Sequence, residues 1–419
     1  MHDPYLALRF PNFRAFITAK LLITLYIQVQ AVVVGWQLYE ITHDPLSLGL
    51  IGLTEVIPAL SVSLFAGYIA DNFPKKRIVQ FCYAVFLLSI GLLMSFSYYK
   101  EDFTQFFTAH FGFGTLPIYI AVAMNGFARG FASPSNFSLM TELVSKDAYS
   151  NSASWNSTMW ELGAVFGPIL GGFAYATLGA TAAYTLGMAL VFIGILFFNR
   201  INVPIFTVKE EDREQILQSV TEGLRFVFNS KMLITAITLD LFAVLFGGTV
   251  ALLPIFAKDI LHIDSSGLGM LRGASAVGAG LTALFLAYQP PMQRPGRNLL
   301  WAVAIFGLAT ICFALSKNFY LSLAFLFILG AADSVSVIIR STIMQLFTPE
   351  EMRGRVSSVN NMFITSSNEL GSFESGVAAR LLGTVASVIF GGSMTLLVVL
   401  ITKFRAPFLS ELDFTKKNY

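Results

Sequence analysis

Arg129, Asp240, Asp333 and Arg340 lie inside long apolar runs of this chain, as do Asn125, Asn136, Glu161 and Glu369. A charged side chain in such a stretch is costly unless it is paired, faces water, or handles a proton or a solute. Spacing groups these residues further. Asn125, Arg129 and Asn136 are four and seven residues apart, and Asp333 and Arg340 seven apart, so on helices each set shares one face. Arginine on such a face can hold an anionic or polar group of a solute. A neighbouring carboxyl can take up and release a proton, and solute binding at the arginine changes that carboxyl's proton affinity. Solute binding is therefore expected at Arg129 and proton exchange at Asp333 and Asp240. The alternative is a permanent Arg129–Asp333 ion pair that fixes two helices together. Gln28, with Gln30, Trp36 and Gln37, offers hydrogen bonding from the first apolar run. Glu161 and Glu369 are candidates for gating, proton transfer or simple pairing.

The four histidines, His2, His43, His110 and His262, stand at ends or polar breaks, and Cys82 and Cys312 occupy separate runs. Neither a metal site nor a disulfide is expected from them. No nucleophile stands with a base as an enzyme would require. No cofactor is expected, and a proton gradient is the expected energy source.

Of the 419 residues, 55% are hydrophobic, 14% aromatic and 12% charged, against about a quarter charged in soluble domains. This excludes a soluble globular protein, a disordered chain and a nucleic-acid binder that works by basic charge. What remains is a membrane protein. Apolar windows predict twelve spans, at 14–40, 46–70, 77–99, 116–144, 150–177, 181–198, 232–257, 266–288, 299–315, 321–346, 356–381 and 385–401. The expected fold is an all-α membrane protein whose twelve transmembrane helices form two pseudo-symmetric six-helix bundles. Its parts are an N-terminal bundle (1–199), a linker (200–231), a C-terminal bundle (232–403) and a tail (404–419). In the linker, Ile216, Leu217, Val220, Leu224 and Val227 recur at helical spacing and predict an amphipathic helix on the cytoplasmic face. With the N-terminus inside, only Lys100, Lys258 and Lys317 fall in outer loops, so both termini are expected to be cytoplasmic.

An internal repeat supports the two bundles. A shift of 204 residues lays Gly126 on Gly330, Gly167 on Gly371, Gly172 on Gly376 and Gly179 on Gly383. The same shift lays Arg129 on Asp333 and Asn136 on Arg340. A shift of 220 lays Asp44, Leu48 and Gly49 on Asp264, Leu268 and Gly269.

Two motifs carry more. After the second span stand Gly67, Asp71, Lys75, Lys76 and Arg77, and before the eleventh run Thr348-Pro-Glu-Glu-Met-Arg353-Gly354-Arg355. The fifth span carries Gly163, Gly167, Pro168, Gly171 and Gly172. These segments resemble the major facilitator superfamily, the first pair its cytoplasmic motif and the glycine–proline run its antiporter signature. Asn72 and Pro74 depart from the usual cytoplasmic pattern. Asp71 is expected to accept from helix-start amides of the eleventh span as a breakable latch. Among members, the bacterial drug and siderophore exporters, the group of macrolide and enterobactin exporters, are the most similar.

The resemblance implies secondary transport by alternating access: proton-coupled export of a polar or amphipathic organic compound by a functional monomer in the bacterial inner membrane, with lipid as its surroundings and no nucleic-acid partner. An importer, or a carrier of a lipid or metal ion, is the rival. An integral membrane enzyme or a sensor is the reading from a different class.

Overall fold

The computed structural model describes residues 3–202, 215–290 and 292–412, with side chains outside 63–68, 70–72 and 215–220. Among the described residues there are helices and no strands. In chain order they are α1 (Pro11–Thr42), α2 (Pro45–Asn72), α3 (Lys75–Tyr98), α4 (Lys100–Phe111), α5 (Leu116–Glu142), α6 (Tyr149–Asn199), α7 (Gln215–Asn229) and α8 (Lys231–Phe246). They continue as α9 (Thr249–Ile255), α10 (Ser265–Ala287), α11 (Pro295–Leu315), α12 (Phe319–Leu346), α13 (Arg353–Leu382), α14 (Thr384–Arg405) and α15 (Pro407–Ser410).

Among these, nine helices are long and apolar enough to cross a membrane, or up to ten if the bent pair α4 and α5 counts as one span. The difference from the expected twelve has physical causes. α6 runs for 51 residues, but Gly179 interrupts it with φ +80° and ψ 177°, a conformation nearly restricted to glycine. It therefore holds two predicted spans in one run. α13 is 30 residues long, yet Ser, Asn, Glu369 and Glu374 make it too polar for that test. The seventh span is interrupted but not lost: α8 ends before Gly247 and α9 begins after Gly248, and Lys231–Ile260 still counts among the nine. α4 was not expected at all.

The repeat is visible in the turns. Gly383 ends α13 with φ +88°, 204 residues after Gly179. Short 3-10 turns precede α6 at Lys146–Ala148 and α13 at Glu350–Met352, again 204 apart. Asp44 and Asp264 both cap helix starts, through Leu46 N at 3.1 Å and Gly267 N at 3.1 Å. Ser266, donating to Asp264 at 2.5 Å, leads the interactions that hold the Asp264 carboxyl below the usual range.

By internal contact the chain divides into two units. Unit 1 comprises Met1–His43, Thr54–Arg213 and Ile263–Gly273, and unit 2 comprises Asp44–Leu53, Glu214–His262 and Ala274–Tyr419. The opening turns of α2 thus belong to unit 2, and those of α10 to unit 1. Glycines account for both assignments. A Cβ on Gly172 would fall 2.2 Å from the Ser265 carbonyl oxygen, and one on Gly376 would fall 2.6 Å from Gly49 Cα. These are the same crossing in the two repeats, and small residues are what allow backbones so near.

Unit 1 packs around fully buried Tyr26, Tyr83, Phe86 and Phe198, with Tyr83 and Phe198 rings edge-on at 5.1 Å. Unit 2 has a core from α8, α11, α12 and α13 that also takes Val227 of α7 and Leu409 of α15. Glu222 of α7 and Arg355 of α13 form an ion pair there. Large apolar side chains such as Leu88, Phe137 and Trp301 are exposed, at 65%, 66% and 60%. A surface of this kind suits a lipid surround.

Candidate transport site

Among the described residues, each unit holds an ionic cluster between its helices, partly open in unit 1 and nearly sealed in unit 2. In unit 1, α5 carries Arg129 one turn beyond Gly126. A Cβ on Gly126 would fall 2.2 Å from the Glu55 carbonyl oxygen, so α5 touches the α2 backbone there. This contact sets Glu55 beside Arg129, and the two form an ion pair with side chains 20% and 37% exposed. Lys20 of α1 lies within electrostatic reach of Arg129. Asn125 accepts from the Tyr26 hydroxyl at 3.1 Å. Asn136 Oδ1 and the neighbouring Ser135 Oγ are buried with no hydrogen-bond partner among the described residues.

In unit 2 the equivalent crossing is Gly330 on Ser275, where a Cβ would fall 1.9 Å from the Ser275 carbonyl oxygen. Serine stands here in the place of Glu55, and Asp333 in that of Arg129. Asp333 lies instead near Arg340, two turns along its own helix, and Asp240 of α8. Arg340 pairs with Asp240 at 2.6 Å, the side chains only 7% and 8% exposed. Arg340 Nε also donates to Ser336 Oγ at 3.3 Å. Asp240, Asp333, Ser336 and Phe306 line a cavity of about 10 Å³, near the space of a single water.

The other expected residues are spread more widely. Gln28 packs under Gly167, where a Cβ would fall 2.5 Å from Gln28 Cβ. Gln37 accepts from the Tyr184 hydroxyl at 2.6 Å. Glu161 of α6 is half-buried, and Glu369 of α13 packs its backbone carbonyl against Gly52. Arg380 pairs with Asp44 at 3.6 Å.

Among the motif residues, Gly163 and Gly171 join Gly167 as a stripe against α1. Their Cβ atoms would fall 2.4 Å from Thr24 Cγ2 and 2.9 Å from the Val29 carbonyl oxygen. Gly269 meets the Pro168 carbonyl, with a virtual Cβ 2.4 Å away. These glycines are thus occupied with helix packing. Lys75 pairs with Glu142 at the end of α5. Lys76 donates to the Ile201 carbonyl at 2.6 Å, close after the end of α6, where a cation is favoured. Arg77 is exposed, Arg353 pairs with Glu350 at 3.5 Å, and Gly354 borders open space. The side chains of Gly67 and Asp71 lie outside the described residues, so the expected latch does too.

Residues 16–372 match the Major Facilitator Superfamily. The chain belongs to that superfamily. It is 24% identical over 407 residues to the enterobactin exporter EntS of Citrobacter koseri, covering 95% of this chain and 94% of that protein. The match to EntS of Escherichia coli O1:K1 / APEC is also 24%, over 405 residues and 94% of each chain. Among solved structures, a POT family transporter in complex with 5-aminolevulinic acid has a TM-score of 0.74 at 11% identity, covering 95% of this chain and 96% of that one. The nucleoside transporter NupG has a TM-score of 0.73 at 13% identity, covering 94% and 100%. As a superfamily member the protein is a multi-pass membrane secondary transporter of small molecules, and not an enzyme.

Sequence reasoning placed Arg129, Asp240, Asp333 and Arg340 in the spans but missed Lys20 and Tyr26 as neighbours. Ser275 and Glu55, which mark the paired crossings, were reachable in principle. They are 220 apart, the same shift that relates Asp44 to Asp264.

Proposed function

We propose that this superfamily member exports a polar or amphipathic organic compound with an acidic group, of the siderophore or drug kind, in exchange for protons. It works by alternating access as a monomer in a bacterial inner membrane, with both termini cytoplasmic. The observation that carries the reading is the contrast between a partly open Arg129–Glu55 pair and a nearly sealed Arg340–Asp240 pair with Asp333 close by. In unit 1, Arg129 pairs with Glu55 while 37% of its side chain stays exposed, and Lys20 lies within electrostatic reach of Arg129. In unit 2, Asp240 and Asp333 face Arg340, two anions to one cation. Unbalanced charge away from water is costly. An acidic group of the solute binds at the accessible Arg129, and a proton on one carboxyl neutralises the second cluster.

Export as the direction is supported by the names of the EntS relatives. The glycine stripe of α6 does not carry that point, because its contacts with α1 explain it.

The test is paired metabolite profiling of cells and spent medium, with and without the gene, in iron-replete and iron-starved growth. Export predicts a compound trapped in the deletion cells and missing from their medium. A medium component left unconsumed by those cells would overturn export and favour an importer.

A further inference from the structure

α4 connects the end of α3 to the start of α5, yet it is not needed for either span. α5 alone has 27 residues, about 40 Å of helix, more than a bilayer core requires. Instead α4 stands at 89° to α5. A helix at that angle to a membrane-crossing helix lies in the plane of the bilayer. The bend is written locally: Gly112 ends α4 at φ +69°, with its amide returning to Thr108 O at 2.9 Å, and Leu116-Pro117 starts α5. A Cβ on Gly114 would fall 2.8 Å from Thr104 Cγ2 and Thr108 Oγ1, so the turn folds tightly onto α4.

The 12 residues of α4 are two-faced. At about 100° per residue, Phe103, Phe106, Phe107, His110 and Phe111 share an arc of about 140°, which also takes Lys100 at the helix start, with Glu101, Gln105 and Thr108 on the other side. Phe103 stands edge-on to Phe96 of α3 at 6.2 Å and stacks on Phe107 at 6.1 Å. Phe107 is half-buried, while Phe106 is 52% and Phe111 62% exposed, and at the end of α3 Tyr98 and Tyr99 are 70% and 53% exposed. This apolar strip runs on from the exposed aromatic end of α3. Lys100, Glu101 and Asp102 leave α4 with a formal charge of minus one, so attraction to anionic headgroups cannot hold it.

We propose that α4 is an interfacial anchor. It lies in the headgroup boundary of the leaflet opposite to the one where α1 begins, three crossings on, with Phe106, His110 and Phe111 turned into the acyl layer and Glu101 and Gln105 into water. Its occupant is the bilayer itself, held by apolar burial.

Site-directed spin labels test this on the full-length protein, with Cys82 and Cys312 replaced by Ala, reconstituted into phosphatidylcholine vesicles. Labels at the exposed positions Glu101, Gln105, Phe106 and His110 are read by collision with oxygen, which concentrates in lipid, and with a nickel chelate, which stays in water. The oxygen-to-chelate ratio is expected to be several-fold higher at 106 and 110 than at 101 and 105, and unchanged when anionic phosphatidylglycerol is added. Equal chelate access at all four positions would overturn the proposal and leave the strip for a protein partner. A ratio at 106 that rises with anionic lipid would overturn its apolar basis.

Discussion

The two repeats share their crossings and differ in what they place there. Gly126 on Glu55 and Gly330 on Ser275 are the same backbone contact 204 and 220 residues apart, but in one Arg129 meets the Glu55 carboxylate, whereas in the other a serine stands in the glutamate's place and Asp333 lies near Arg340 and Asp240. Geometry is thus held by the small residues, while charge is free to vary one turn away. Exposure follows charge: the Glu55–Arg129 pair is partly open and the Asp240–Arg340 pair nearly sealed.

The comparison breaks most sharply at Arg340. Arg340→Ala leaves two acids buried without their cation and is expected to cost about 3–5 kcal/mol, read as a large drop in thermal unfolding temperature of the purified protein. Arg129→Ala, at the more exposed pair, is expected to cost about 1 kcal/mol or less while abolishing solute transport. Equal losses at the two sites would remove the distinction between a sealed and an open cluster.

Alanine at the shared crossings comes next. Gly126→Ala and Gly330→Ala are each expected to cost about 1–3 kcal/mol, because backbone carbonyls must move. The two should respond alike despite their different charges. The positive-φ turns follow, Gly179→Ala and Gly383→Ala, at about 1–3 kcal/mol each from backbone strain alone, since a Cβ at either meets nothing within 4 Å. A clear gap between those two losses would show that the repeats no longer share this turn.

The smallest effect belongs to the helix caps. Asp264→Ala is expected to cost about 1 kcal/mol. The Asp264 carboxyl is held below its usual range, so its contribution is present above about pH 4 and lost as acid protonates it. Melting curves of wild type and Asp264→Asn should therefore converge as the pH falls.

The fold was legible because its periodic features are local. Runs of about 20 apolar residues and glycines repeating at 204 need no knowledge of tertiary contacts. The site was legible only as faces. Spacing puts Asn125, Arg129 and Asn136 on one side of a helix, but which neighbour meets that side depends on the crossing, and Gly126 gives no chemical hint that Glu55 lies against it. α4 was hidden because Lys100-Glu-Asp-Phe-Thr-Gln breaks the apolar run and reads as a loop. The break between α8 and α9 was hidden for the opposite reason: Gly247 and Gly248 interrupt an apolar run without changing its hydropathy.

Gly179 has a consequence for how the protein is made. Its turn, Ala176-Thr-Leu-Gly-Ala-Thr181, contains no charged residue and no loop. No basic residue stands at that end of the hairpin, and those nearest its other ends are Lys146 and Arg200, the kind of residue that biases topology. With so short a turn between them, the two arms are expected to insert together as one hairpin.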